Sequence, residues 1–227
     1  MTTTTSTTLI IGASRGIGLE LARQAVAAGE RVIATARDDA ALARLRDLGA
    51  QTLRVDVADP ASISGLSWQL EGERIDTAWH VAGVMCGRAD GRQPPTQAEF
   101  DRVMHVNVLG AMQLIPQVAP LVEAARGRMA FLSSVMGLIG EVAGSGAWLY
   151  RVSKAALNMA VAAAQHAYPG AIMVCLHPGW VRTDMGGPNA PVTPQDSAAG
   201  LRRVVLRLGE ADRGSFIYHD GMRPSRW

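Results

Sequence analysis

Short runs of aliphatic and β-branched residues recur along the chain. Each is followed by a longer stretch in which apolar positions return every three or four residues. The short runs cover residues 9–11, 31–35, 52–55, 77–81, 128–133, 172–177 and 215–218, and their composition predicts strands. The longer stretches, residues 17–28, 40–48, 97–107, 109–125, 149–168 and 195–208, predict helices. Strand and helix alternating in this way imply parallel strands joined by right-handed crossovers. Strands of near-continuous apolar character fit a sheet covered on both faces. With no internal linker or repeat, residues 1–227 are read as one doubly wound α/β domain. It is expected to contain a seven-stranded, mostly parallel sheet flanked by helices on both sides, with residues 1–6 as a flexible tail. Ligands of such sheets bind beyond the carboxyl ends of the strands, at the switch point of the strand order. The residues just after each strand are therefore where chemistry is sought.

Composition changes this picture little. The 227 residues are 48% hydrophobic and 19% charged, with a net charge of +2, which is the profile of a globular protein with a substantial core. Arg202, Arg203 and Arg207 fall at helical spacing among Val204, Val205 and Leu208, and read as a solvated helix face rather than a nucleic-acid contact. Cys86 and Cys175 form no CxxC pattern, so free thiols in a reducing compartment are expected. The five histidines lack HxH or HExxH spacing, and no metal is expected. The N-terminus has no basic segment followed by an apolar one, and no apolar run approaches the ~20 residues of a membrane span. A cytoplasmic protein that binds neither membrane nor nucleic acid is the expectation.

The first strand runs into IGASRGIGLELA, in which Gly12, Gly16 and Gly18 form a GxxxGxG pattern. Glycines permit a tight turn and close approach of a phosphate group, and the helix that follows presents free N–H groups. A plain strand-to-helix turn could use two of the three glycines, but the position after strand one favours dinucleotide binding, with Ser14, Arg15 and Ile17 as further contacts. No GK[ST] follows, so the turn is not a Walker-type loop. Strand two ends ATAR, placing Ala36 where an acid would bind the ribose diol of NAD. Arg37 comes next, and with Arg15 it offers two guanidinium groups to a 2′-phosphate. NADP(H) is therefore favoured over NAD(H). Asp38 and Asp39 read as the cap of the following helix.

Tyr150 and Lys154 stand four residues apart in LYRVSKAALNMA, on one face of a helix. Alone, the pair is more simply a packing phenol and a solvated ammonium. Together with the glycine turn it makes the chain resemble a short-chain dehydrogenase/reductase. Further matching pieces follow in order: Asp56-Val57 after strand three, Ala82-Gly83 after strand four, Asn107 in VNVLG, Ser133-Ser134 after strand five, and Pro178-Gly179 in HPGWVRTDM. The resemblance spans essentially the whole chain, and LHPGWVRTDMGGP and YRVSKAALN point to the C-factor-like subgroup near small carbonyl reductases. It implies a Rossmann-type fold and hydride transfer between nicotinamide and a carbonyl or alcohol carbon. Tyr150 would be the acid, Lys154 its partner, Ser134 the donor to the substrate oxygen, and Asn107 the relay residue that orders a water. Asp56 and Val57 would contact adenine. Ala82 and Gly83 would let the ribose approach, and Val181 and Thr183 would hold the carboxamide and phosphate. Lys154 is expected to help lower the phenol's proton affinity. A homodimer or homotetramer formed through residues 109–125 and 149–168 is also implied. A dinucleotide-binding signalling protein with little turnover is the alternative, although the intact Asn107, Ser134, Tyr150, Lys154 set favours an enzyme.

Two departures from the family pattern bear on the site. The usual Asn-Asn-Ala-Gly reads His80-Val81-Ala82-Gly83 here. Its imidazole is expected to replace the amide by bonding backbone, with an added proton carrier as the second option. The spacing from Ser134 to Tyr150 is also longer than usual, and the extra residues, 140–148, would line or cover a substrate pocket. Residues 185–193, MGGPNAPVT, are expected to form an irregular, mobile lid. On the helix after strand five, Ala155, Met159, Ala162 and Ala163 form a small-residue face, suited either to a subunit interface or to burial against the sheet.

Overall fold

A computed structural model describes residues 5–87 and 89–227. Seven strands, β1 (Thr7–Ile11), β2 (Arg31–Ala36), β3 (Gln51–Arg54), β4 (Thr77–His80), β5 (Arg128–Leu132), β6 (Ile172–His177) and β7 (Phe216–Tyr218), form one sheet in the order β3-β2-β1-β4-β5-β6-β7. All six pairings are parallel, so the expected "mostly parallel" sheet is wholly so. Strand order reverses at β1, which lies between β2 and β4. The crevice beyond the carboxyl ends of β1 and β4 is therefore the ligand position that topology dictates.

Alternation of side chains along each strand builds two apolar layers. Leu9, Ile11, Ala78, Met129, Phe131, Met173 and Cys175 face one layer, with α3 (Pro60–Ser64), α4 (Leu66–Gln69), α6 (Gly110–Ala124) and α7 (Trp148–Gln165) packed on it. Ile10, Trp79, Ala130, Leu132, Val174 and Leu176 face the other, which is covered by α1 (Gly16–Ala27), α2 (Asp39–Asp47) and α8 (Pro194–Leu206). Asp38 caps α2 as expected, its side chain accepting from the Ala41 N–H at 2.8 Å.

Several details differ from the sequence pattern. The expected tail lies outside the described residues as far as position 4, and it ends sooner than position 6. The Ser6 carbonyl accepts from the Arg31 N–H, and β1 begins at Thr7. Thr7 and Thr8 are buried because their polar groups are satisfied: Thr7 N–H by Asp76 (2.7 Å), Thr8 hydroxyl by Glu30 (2.5 Å). The pattern did not single out α3 and α4, which hold only Ile63 and Leu66 in the core. Arg202 is not on a solvated face; it pairs with Glu30 at 2.6 Å between α8 and the start of β2. The two helices expected on either side of Val108 run together, as α5 (Gln97–Met104) passes through a single π-turn at His105–Leu109 into α6. Both cysteines are free thiols, as expected. Among the described residues, no helix is long and apolar enough to cross a membrane.

Candidate active site

Beyond the carboxyl ends of β1, β2 and β4 lies a cleft of about 490 Å³, within the usual size range of cofactor sites. The glycine turn forms one wall. Gly12 adopts φ +90°, and a Cβ there would stand 2.8 Å from the Ala82 amide nitrogen, so only glycine lets the turns after β1 and β4 meet. Gly18 has a different role from its neighbours. It lies against the Gly12 carbonyl, where a Cβ would be 2.2 Å away, and so seats α1 on the sheet without lining the cleft. Arg15, at the head of α1, provides no side-chain cap, and the first turn has no acidic residue. Its unpaired N–H groups are thus available at a cleft wall made by Gly16 and Ile17.

These features fit a dinucleotide. Gly12, Ser14, Arg15, Gly16 and Ile17 would hold its phosphates. Arg37, Asp56 and Val57 line the cleft at the ends of β2 and β3, where the adenosine would lie. Ala82, Gly83, Tyr150, Lys154, Pro178 and Thr183 line the opposite part. Gly179 and Val181 do not reach this cleft but line the cavity beside it.

The two arginines expected to face a 2′-phosphate each have an acidic neighbour. Arg15 pairs with Asp184 at 2.5 Å across the mouth of the cleft, both side chains about three-quarters exposed, and Arg37 lies 3.6 Å from Asp56. Such exposed pairs are weak and readily exchanged. A third guanidinium, which the sequence pattern did not single out, sits on α2. Arg44 donates to the Ser14 carbonyl at 3.2 Å and forms no ion pair among the described residues.

Tyr150 and Lys154 meet on the buried face of α7, with Ser153, Leu157, Asn158 and Val161. Lys154 is 4% exposed and donates to the Leu132 carbonyl at 2.8 Å, with its nitrogen 5.7 Å from the centre of the Tyr150 ring. Burial dominates both groups. It pushes the phenol up to about 12, partly offset by the hydrogen bond with Ser134, and draws the lysine down to about 8. In the protein by itself the phenol is therefore raised and not lowered, because loss of solvation on burial dominates.

Asn107 sits behind the pair. It is fully buried in the π-turn, and its side chain is committed to protein. Nδ2 donates to the Val84 carbonyl and to Ser153 Oγ, both at 2.9 Å, while Oδ1 accepts from the Val84 N–H at 2.8 Å. Ser153 in turn donates to the Tyr150 carbonyl at 2.8 Å. The amide thus ties the loop after β4 to the helix that carries Tyr150. Ser133 donates to Asn158 at 2.6 Å.

His80 does not replace the missing amide in the way its position suggested. The ring is 1% exposed and stacks on Phe131 with centroids 5.7 Å apart, and neither nitrogen has a partner. The β4–β5 pairing sets His80 opposite Phe131, so the ring is held over an apolar neighbour instead of backbone. Burial, with the nearby Lys154 charge adding to it, pushes its pKa down to about 3.

A second cavity of about 510 Å³ adjoins the first and shares Ile17, Ser133, Tyr150, Pro178, Thr183 and Met185 with it. Tyr150 stands at this junction with Ser134 beside it in the second cavity, and Gly146 and Ala147 from the extended loop line that cavity, as expected for residues 140–148. Arg151, His177 and Trp180 also line it and were not assigned from sequence as site residues. The 185–193 segment is irregular but tied at its base. Arg182 N–H donates to the Val192 carbonyl, Val192 N–H to Trp180, and the Trp180 indole to Gly186.

Residues 6–192 match the short chain dehydrogenase family. A 1-hydroxy-2-glutathionyl-2-methyl-3-butene dehydrogenase from Rhodococcus sp. (strain AD45) is 33% identical over 231 residues, covering 95% of this chain and 97% of that one. Among solved structures, a short-chain dehydrogenase/reductase from Burkholderia multivorans with bound NADP superposes with a TM-score of 0.85 at 29% identity, covering 99% and 100% of the two chains. The carbonyl reductase Sniffer of D. melanogaster superposes with a TM-score of 0.90 at 26% identity over the same shares. With the cleft at the β1/β4 crevice and the Tyr150–Lys154 pair at its inner end, the chain belongs to the short-chain dehydrogenase/reductase family of oxidoreductases.

Proposed function

We propose that the protein is an NADP(H)-dependent oxidoreductase interconverting a carbonyl and an alcohol, with Tyr150 as the general acid and base. The observation that carries this reading is the convergence of three groups: Tyr150 lines both cavities, Ser134 lines the second beside it, and Lys154, buried on the same helix face, lines the first. Nicotinamide, when bound, supplies or accepts the hydride. The protein's own part is to manage charge on the substrate oxygen. That oxygen becomes more negative as a carbonyl is reduced, so the Ser134 and Tyr150 hydroxyls bind it best in the transition state. Tyr150 then gives up its proton, and Lys154, protonated below about pH 8, stabilises the phenolate left behind. Ser153 and Asn107 hold the backbone of Tyr150 in place while this happens. Arg15, Arg37 and Arg44 around Ser14 support NADP(H) over NAD(H), as does the NADP bound by the Burkholderia relative. A second copy of the chain is the further partner proposed, docking on the outer faces of α6 and α7.

The test is turnover of a carbonyl panel by wild type and Tyr150→Phe, with thermal unfolding followed alongside. Tyr150→Phe should lose at least about a hundredfold in rate, the usual scale for a positioned acid. It should keep a melting temperature that NADPH raises more than NADH does. Equal turnover by the two proteins rules out Tyr150 as the acid, and equal shifts by the two cofactors rule out the NADP(H) preference.

A further inference from the structure

The second cavity is walled mainly by apolar side chains and backbone, among them Met136, Ala147, Trp180, Val181 and Met185. Among the described residues its lining carries one side chain with a permanent charge, Arg151. The guanidinium is held in place, since its Nε–H donates to the Gly146 carbonyl at 3.0 Å and the residue is half-buried. Of the five N–H donors of a guanidinium, that bond uses one. None of the eight ion pairs among the described residues involves Arg151. Asp184, the acid of the adjoining cleft, is engaged with Arg15. A cation partly withdrawn from water in an apolar wall is best stabilised by an anion.

Resting on the oxidoreductase reading above, we propose that the substrate carries a carboxylate at the far end of an apolar body, and that Arg151 binds it. The planar fork of the two free Nη groups matches a carboxylate edge-on. The apolar walls accommodate the body between the two ends. Arg151 directly follows Tyr150 on α7, so a single helix sets the distance between the reacting carbon and the carboxylate. The enzyme would thereby select oxo-acids over neutral carbonyl compounds of the same length.

Reduction of an ω-oxo carboxylic acid and of its methyl ester, with NADPH, decides the point in wild type, Arg151→Met and Arg151→Lys. Wild type is expected to favour the acid by at least about tenfold in kcat/KM, carried by KM, as one charge-assisted hydrogen-bonded contact implies. The ratio should fall toward one in Arg151→Met and be partly kept in Arg151→Lys. Equal use of acid and ester by wild type, or an acid preference unchanged in Arg151→Met, overturns the proposal. Thermal shifts with octanoate and octanamide read the same site without turnover. An octanoate-specific rise that disappears in Arg151→Met supports the carboxylate site even if no carbonyl is reduced, in which case the oxidoreductase reading fails alone. Equal rises, or none, overturn the site.

Discussion

His80 and His177 show how single residues tie this site to pH. Both rings are withdrawn from water, and burial holds them neutral, at about 3 and about 4 against an ordinary 6.5. Because the unfolded chain takes up protons at 6.5 and the folded one does not, the full stability is present above about pH 6.5. It declines as pH falls toward 3. Urea unfolding from pH 7 to pH 4 should show this decline, and His80→Asn should flatten it. An unchanged slope would mean that His80 is hydrogen-bonded in solution. At this scale the sequence was informative about residue type and poor about environment. Tyr150, Ser134 and Lys154 come together as their motif implies. However, the missing partner of His80, the committed amide of Asn107 and the raised phenol of Tyr150 all depend on desolvation, which no spacing encodes. Arg44, Arg151 and Trp180 went unassigned because a lone arginine or tryptophan on a helix or loop has no pattern of its own.

Helix α7 is the element on which the site depends. Its inner face presents Tyr150, Ser153, Lys154, Leu157, Asn158 and Val161 in a strict i, i+3, i+4 series, so Ser153 and Asn158 could have been placed in the site from periodicity. The same rotation keeps its small-residue face from being buried against the sheet. Ala155, Met159, Ala162 and Ala163 turn away from the sheet. Against the inner face lies the short 3₁₀ turn Val135–Gly137, and a Cβ on Gly137 would come 2.7 Å from the Lys154 carbonyl carbon. Gly137→Ala should therefore destabilise the protein by about 1–3 kcal/mol, the cost of overpacking. It should also lower turnover more than a distant substitution of equal thermal effect. Chemical denaturation paired with kinetics separates the two effects, and normal stability in the Gly137→Ala variant would refute the tight contact. Helix existence was legible throughout, except where the segments were very short. Pro60 after Asp59 marks the start of α3, and the side chain of Asp59 does cap it, but five residues carry too little periodicity to register. The π-turn was legible only as a break, because an inserted residue and a helix end look alike in sequence.

For the molecule as a whole, the alternation of strand and helix fixed the fold class and the covering of the sheet on both faces before any side chain was placed. The sheet's full strand order was not legible, since parallel crossovers of similar length can place a strand on either side of β1. What the fold leaves uncovered bears on assembly. Met112, Val152 and Met159, on α6 and α7, are each about half or more exposed, and a second chain docking there would bury them. Light scattering should give at least twice the mass of one chain, and Met159→Asp with Val152→Asp should return it to one. A monomeric wild type would refute the dimer.

The pairing of Arg202 with Glu30, which also accepts from Thr8, has a consequence for biosynthesis. The last long helix closes over the first, supplying Ala198, Leu201 and Val205 to the layer that holds Leu21, Ala22 and Ala25. A chain emerging from the ribosome therefore carries α1 with its apolar flank uncovered until α8 has been made. The glycine turn is translated just ahead of α1, yet the helix behind it gains this cover only from α8, so a settled nucleotide cleft waits on the synthesis of α8.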